Sequence, residues 1–376
     1  MASDEPEVVS LDTKDEVVVK KSASVYQIVR LVLVITTFAT GVASIIFTQM
    51  LALVFFCYLP EQKRTVSDFT KNNFVILISF ITGWVTPTKM IVSIDNKTLS
   101  SNSIIQKKGK ISLNLDHGAI IIANHQIYSD WLFLWFMAYL NNVGSNIYII
   151  MKKSLAGIPL LGFGMKNYDF IFLSRKWEVD KPYMIKHFKN LCLVAKHWLL
   201  IFPEGTNLSP NTKPKSDNYI KKLGMDLKLD YVMLPRVKGL YLACKYMTPK
   251  TNTIYDFTIG FSDHTPDEYA QDIFTLGQIY LFGNGPKEAR LHIKKIEISE
   301  IQEADMAIFE KWLVNLWSEK DKSMGRYYNE GGFVEDLNDQ VEMVLKLNSK
   351  LDIFKVYVIP LFVAFALAGI SKLISY

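Results

Sequence analysis

His125 and Asp130 stand five residues apart in "IIIANHQIYSDW", where a run of strand-forming apolar residues stops at an Asn-His pair. A histidine with one ring nitrogen held by a carboxylate keeps the other free to take a proton, as a general base requires. Along one regular helix, five residues correspond to ~500°, so the two side chains would point about 140° apart. They can meet only if His125 lies in a turn and Asp130 in the first turn of the helix begun by "SDWLFLWFMAYL". The helix dipole favours a carboxylate at that place. Taken alone, H-x-x-x-x-D is also what a capping Asp beside an unrelated surface His would give.

Three further strand ends carry polar groups. "LLIFPEGTNLSP" runs into Pro203, Glu204, Gly205 and Thr206, where a glycine permits a tight turn and close approach of a ligand to the backbone. Its amides and the Thr206 hydroxyl could hold phosphate oxygens; an ordinary turn with an exposed Glu would read the same. "FIFLSRKWE" puts Arg175 and Lys176 where an anionic headgroup could dock, or where a solvated basic pair would sit. "VMLPRVKGL" offers Pro235 and Arg236, which read as structural. Lys152 and Lys153 in "MKKSLAGIPLLGFGM" could meet phosphate, but read first as surface lysines.

These ends need a scaffold. The strand candidates are "AIIIA" (119–123), "NIYII" (146–150), "YDFIFL" (168–173), "LLIFP" (199–203), "VMLPR" (232–236) and "IYDFTIGF" (254–261). "DKPYMIKHFKNLCLVAKHW" and "EADMAIFEKWLVNLWSEKDKSM" have helical spacing. Strands separated by helices predict an α/β fold with a mixed, largely parallel sheet flanked by helices. In such a sheet, ligands collect where strands end and helices begin.

The chain has 376 residues, 49% of them hydrophobic, and a mean hydropathy of +0.14, high for a soluble protein. The excess is concentrated. Residues 31–60 contain no charge and would make a helix of ~45 Å, longer than a ~30 Å hydrocarbon core. This run reads as a membrane anchor. A cleaved signal peptide does not fit, because a polar, acid-containing segment precedes it. Two shorter runs, 72–88 and 356–371, could be spans, buried core helices or helices lying in the interface. The expected organisation is a mobile polar tail over 1–24, membrane-associated helices over 25–92, a catalytic domain over 93–345 and a C-terminal membrane helix over 350–376. A net charge of +5 suits an anionic membrane or substrate but is too weak to argue for nucleic acid. Cys57, Cys192 and Cys244 are scattered and odd in number, suggesting neither a disulfide framework nor a metal site. G-x-S-x-G and H-E-x-x-H signatures are absent.

"NHQIYSDW", "FIFLSRKWE", "FPEGTNLS" and "LPRVKG", in that order, resemble the four blocks of the glycerolipid acyltransferase superfamily. The resemblance extends through "IYDFTIGFSD", "LHIKKIEISEI" and "FEKWLVNLWSEKD", over about residues 75–330, and is nearest to fungal and animal members acting on lysophosphatidic acid or lysophosphatidylinositol. It implies transfer of an acyl group from acyl-CoA to a lysophospholipid, with His125 as general base and Asp130 as its orienting partner. It further implies Arg175, Glu204, Gly205 and Thr206 as acceptor-binding residues. No metal or resident cofactor is expected, acyl-CoA being a co-substrate, nor a nucleic acid or obligate protein partner. The expected location is the endoplasmic reticulum membrane, with the catalytic domain facing the cytosol. A CoA-independent transacylase would use similar chemistry at the first block.

Overall fold

The computed structural model describes residues 24–107, 110–248, 250–301, 305–334 and 340–374; the expected polar tail lies, apart from Ser24, outside them. The chain opens with two long helices, α1 (Val25–Phe55) and α2 (Pro60–Val85), then β1 (Lys89–Ile94) and a small hairpin of β2 (Ile104–Lys107) and β3 (Lys110–Leu113). There follow β4 (Gly118–Ala123), α3 (Asp130–Leu140), β5 (Ile147–Lys152), α4 (Leu161–Asn167), β6 (Ile171–Leu173), α5 (Trp177–Leu191) and β7 (His197–Ile201). The remainder is α6 (Lys213–Lys222), α7 (Val237–Met247), β8 (Thr253–Phe261), α8 (Ala270–Ile273), β9 (Glu288–Glu297), α9 (Met306–Glu330), β10 (Gln340–Val344) and α10 (Val358–Ile374).

Eight strands form one sheet in the order β10-β1-β9-β8-β4-β7-β5-β6. The run β8-β4-β7-β5-β6 is parallel, so the C-terminal ends of these strands share one edge. β9 is antiparallel to β8, and β10 to β1. Both faces are covered, which is why the central strands read as unbroken apolar runs. Ile121 and Ala123 of β4 face a core shared with α2 and α3, while Ile120 and Ile122 face a second core shared with α5, α7 and α9. The expected α/β class with a largely parallel sheet holds.

The two N-terminal helices differ in character. α1 is long and apolar enough to cross a bilayer and leaves Ile28, Val32, Phe47, Met50, Val54 and Phe55 exposed. The second half of α2, covering most of the 72–88 run, is a core helix instead: Val75, Ile76 and Leu77 are fully buried. The helices touch at Gly41, where a Cβ would stand 2.6 Å from the Leu77 side chain. β1, which starts four residues after α2 ends, runs through residues 92 and 93, so a strand of the sheet crosses that point of the chain. The third apolar run forms α10, bent by 57° from the preceding helical turns Lys350–Val356 and exposing Leu361, Phe362, Phe365 and Leu373. Tyr357 at its start is hydrogen-bonded to Thr40 of α1 at 3.2 Å.

"VMLPR" is not a strand. The backbone N–H groups of Tyr231 and Val232 donate to the Asp321 carboxylate (2.7 and 3.1 Å), and that of Leu234 to Ser216 Oγ (3.0 Å). Side chains thus satisfy the donors a ladder would have used. The helix expected to run on to Trp198 ends at Leu191, and His197 and Trp198 begin β7.

Candidate active site

β4 delivers its last residues to the open edge of the parallel sheet, and Asn124 locks that end in place. Its Nδ2 donates to Ile259 O and its Oδ1 accepts from Ile259 N–H, both at 2.8 Å, so a side chain adds one rung between β4 and β8. His125 follows in the turn, its carbonyl accepting from Leu208 N–H at 2.8 Å. Asp130 opens α3 and is fully buried. Its Oδ2 faces His125 Nδ1 at 2.8 Å and also accepts from Gln126 N–H (2.6 Å) and Ile127 N–H (3.1 Å). The turn is therefore wrapped around the carboxylate, with His in the turn and Asp in the first helical turn, as the five-residue spacing requires. Burial pushes the Asp130 carboxyl up, against the pull of His125 and the two backbone donors. The two backbone donors make Oδ2 an acceptor, and an acceptor facing Nδ1 favours the His125 tautomer with its hydrogen on Nδ1.

His125 stacks on Phe202, ring centres 4.3 Å apart at 24°. With 19% of its side chain exposed, it leaves Nε2 without a hydrogen bond among the described residues. Phe202 belongs to the turn after β7, which Gly205 N–H closes on Phe202 O at 3.0 Å. Gly205 has φ +73°, a left-handed conformation that favours glycine. Arg175 Nη2 donates to Gly205 O at 3.3 Å. Arg175 also has a left-handed φ of +67°, held by Ser174, whose N–H and Oγ both donate to the buried Asp180 (2.9 and 2.8 Å). Thr206 is half-buried beside them, its hydroxyl 3.4 Å from Asn207 Oδ1.

Glu204 goes the other way. Expected among the acceptor-binding groups, its carboxyl is turned into the protein, 3% exposed, and accepts from Trp317 Nε1 on α9 at 3.2 Å. Burial pushes it up to about 8, opposed by Trp317, the Met233 and His125 backbones and Lys320. Lys320 is itself buried and paired with Asp256 at 2.7 Å. The Glu204 carboxyl thus ties the turn to α9 from behind, while Gly205, Thr206 and Arg175 come together with His125 and Asp130 at the open edge.

Sequence reasoning missed the Phe202 stack, the Asn124 rung and the anchoring role of α9. The signals were present: an Asn directly before the His, and a Lys three residues after Trp317 on an otherwise apolar helix face. Lys152 and Lys153 are exposed at the end of β5, as expected.

The Glu204 environment makes a pH prediction. Its folded value of about 8 lies above the ordinary 4.5, so its contribution is fully present below about 4.5 and is lost as pH rises toward 8. Glu204→Gln, uncharged at every pH, should flatten the fall in Tm between pH 5 and 8. Glu204→Leu, which leaves Trp317 Nε1 without its acceptor, should melt lower throughout. A wild-type pH slope in the Gln variant would mean that the carboxyl is ionised in the folded protein.

Comparison with known proteins agrees with this architecture. Residues 104–252 match the Acyltransferase family and residues 280–355 the Acyltransferase C-terminus family. The chain is 35% identical over 361 residues to the 2-acyl-1-lysophosphatidylinositol acyltransferase of Saccharomyces cerevisiae, covering 86% of this chain and 90% of that one. It is 36% identical over 222 residues to lysophosphatidylinositol acyltransferase 10 of Caenorhabditis elegans (56% and 53% covered). Over 221 residues it is 34% identical to lysocardiolipin acyltransferase 1 of Gallus gallus (57% and 54% covered). The four strand-end blocks, the sheet that gathers them and these relatives together make the chain an enzyme of the glycerolipid acyltransferase family.

Proposed function

We propose that this acyltransferase moves an acyl group from acyl-CoA to a free glycerol hydroxyl of a lysophospholipid, lysophosphatidylinositol or lysophosphatidic acid. The observation that carries the reading is the His125–Asp130 contact of 2.8 Å, with Nε2 of His125 left free at the open edge of the sheet. Nε2 takes the proton of the acceptor hydroxyl as its oxygen attacks the thioester carbonyl. The imidazolium formed is stabilised by Asp130, which is already hydrogen-bonded to Nδ1. Collapse of the tetrahedral adduct breaks the C–S bond, and the leaving thiolate takes the proton back from Nε2. A thioester is already activated, so the step requires no covalent enzyme intermediate. Arg175, Gly205 and Thr206 hold the acceptor, and Glu204 acts as a positioning residue behind them.

The names of the relatives support a lysophospholipid as acceptor, and the apolar α1 supports work at a membrane, where acceptor and product both reside. Purified protein should form the diacyl product from a lysophospholipid and labelled acyl-CoA. Product formed at the same rate with acyl-CoA omitted would identify a CoA-independent transacylase instead.

Acyl-CoA is a large anion that does not cross bilayers, so the proposed location is the endoplasmic reticulum with the sheet in the cytosol. With α2 committed to the core, α1 is the remaining N-terminal span. On sealed microsomes, a tag within 209–218 should be cleaved by protease and one at residue 2 protected until detergent is added. Protection of the 209–218 tag would overturn the cytosolic site. Cleavage of both would show that α1 does not cross.

A further inference from the structure

Arg236 reads from sequence as a structural residue next to a proline, and its surroundings argue for more. Its backbone N–H donates to Pro203 O at 2.7 Å, which joins the start of α7 to the turn after β7. Its side chain then lies along Gly205: a Cβ at that glycine would meet Arg236 Nε at 3.1 Å, Cδ at 3.2 Å and Cζ at 3.4 Å. Arg175 reaches the carbonyl of the same glycine from α5's side. Two guanidiniums therefore converge on one exposed turn. Lys176 is exposed beside Arg175, and Lys238 is exposed after Arg236 with its ammonium 4.9 Å from the Trp177 ring, which brings the starts of α5 and α7 together.

Among the described residues, neither arginine has a carboxylate partner. Two buried acids of these segments are engaged elsewhere: Asp180 accepts from Ser174, and Glu204 from Trp317 on α9. Two residues beyond Gly205, the buried Asn207 Nδ2 has no acceptor. Cations brought together without a carboxylate partner call for an anion that accepts several hydrogen bonds at once. A phosphate ester has that chemistry, and paired guanidinium forks match its oxygens.

We propose that Arg236 is a second arm, with Arg175, of a two-arginine clamp that closes on the phosphate ester of the acceptor across Gly205. This rests on the reading of the acceptor as a lysophospholipid. A side chain at Gly205 would crowd the Arg236 arm, in addition to straining the left-handed backbone there.

The test compares wild type, Arg236→Ala and Arg236→Lys on two acceptors, lysophosphatidic acid and monoacylglycerol, which differ by the phosphate. Arg236→Ala should raise the KM for lysophosphatidic acid by ~10-fold with kcat within about threefold, because a clamp contributes equally to ground and transition states. The KM for acyl-CoA and turnover of monoacylglycerol should be unchanged, with Arg236→Lys in between. Equal losses on both acceptors would make Arg236 structural. A change confined to the acyl-CoA KM would place the arm on the donor's phosphates. Either result overturns the clamp. The same pair of ligands is then titrated onto His125→Ala protein with and without Arg236→Ala. Weakened binding of lysophosphatidic acid alone supports the clamp even if the wild type proves inactive in acyl transfer, whereas equal binding by both proteins overturns it.

Discussion

Replacing His125 with alanine is expected to cut acyl transfer by ~10²–10⁴-fold, the range a positioned general base contributes, while the protein still folds and enters membranes. The imidazole sits at the rim of the sheet, stacked on Phe202, and its loss opens space toward solvent rather than a sealed cavity. Its carbonyl, which receives Leu208 N–H, is backbone and survives the substitution. Asp130 keeps its two backbone donors from Gln126 and Ile127. Activity and melting temperature should therefore separate cleanly. Turnover of labelled acyl-CoA within a few-fold of wild type, at unchanged Tm, would remove His125 from the mechanism.

Asp130→Asn should cost a similar factor for a different reason. Three N–H donors aim at Oδ2, so an asparagine must place its oxygen there and its NH₂ where Oδ1 now lies. Oδ1 is buried and has no hydrogen-bond partner, so the new N–H bonds are left unsatisfied. Such a buried group costs about 1–3 kcal/mol, and Tm should fall. The flipped amide would instead point N–H at N–H and release the imidazole. In either orientation the negative charge that stabilises the imidazolium is gone, and a loss approaching ~10⁴-fold in kcat is expected. A variant that loses stability but keeps kcat would show that Asp130 only builds the turn.

How far the sequence revealed this site depends on what each residue needed. The His-Asp pairing was legible because five residues leave one geometry in which they can meet, and a strand running into a helix supplies it. The direction of Glu204 was not legible. At a strand end a shift of one residue exchanges the inner and outer faces, and the nearby Trp317 lies more than a hundred residues away in sequence. The "VMLPR" segment reads as a strand because its first residues are apolar, but an apolar run does not say what receives the N–H groups, and here it is Asp321 and Ser216. The converse failure was β1, β9 and β10. β9 alternates buried and half-exposed positions with charged residues on the open face, and β10 is a short edge strand whose partner lies near the other end of the chain.

That last pairing has a consequence for how the protein is made. β1 lies between β9 and β10, with Lys89 set against both Glu288 and Val344, so roughly two hundred residues must follow it before its first neighbour exists. At ~5–20 residues per second, the apolar segment "MIVSI" waits on the order of 10–40 s with both hydrogen-bonding edges open. Over the same interval β4, β5, β6 and β7 are synthesised and can pair among themselves, so the parallel half of the sheet is able to assemble first. α1, emerging ahead of β1, can already be inserted in the bilayer, which tethers the waiting strand near the surface where the rest of the sheet will close on it. A chain cut short before residue 340 would never complete that closure, and its β1 would keep one bare edge open to pairing with other chains.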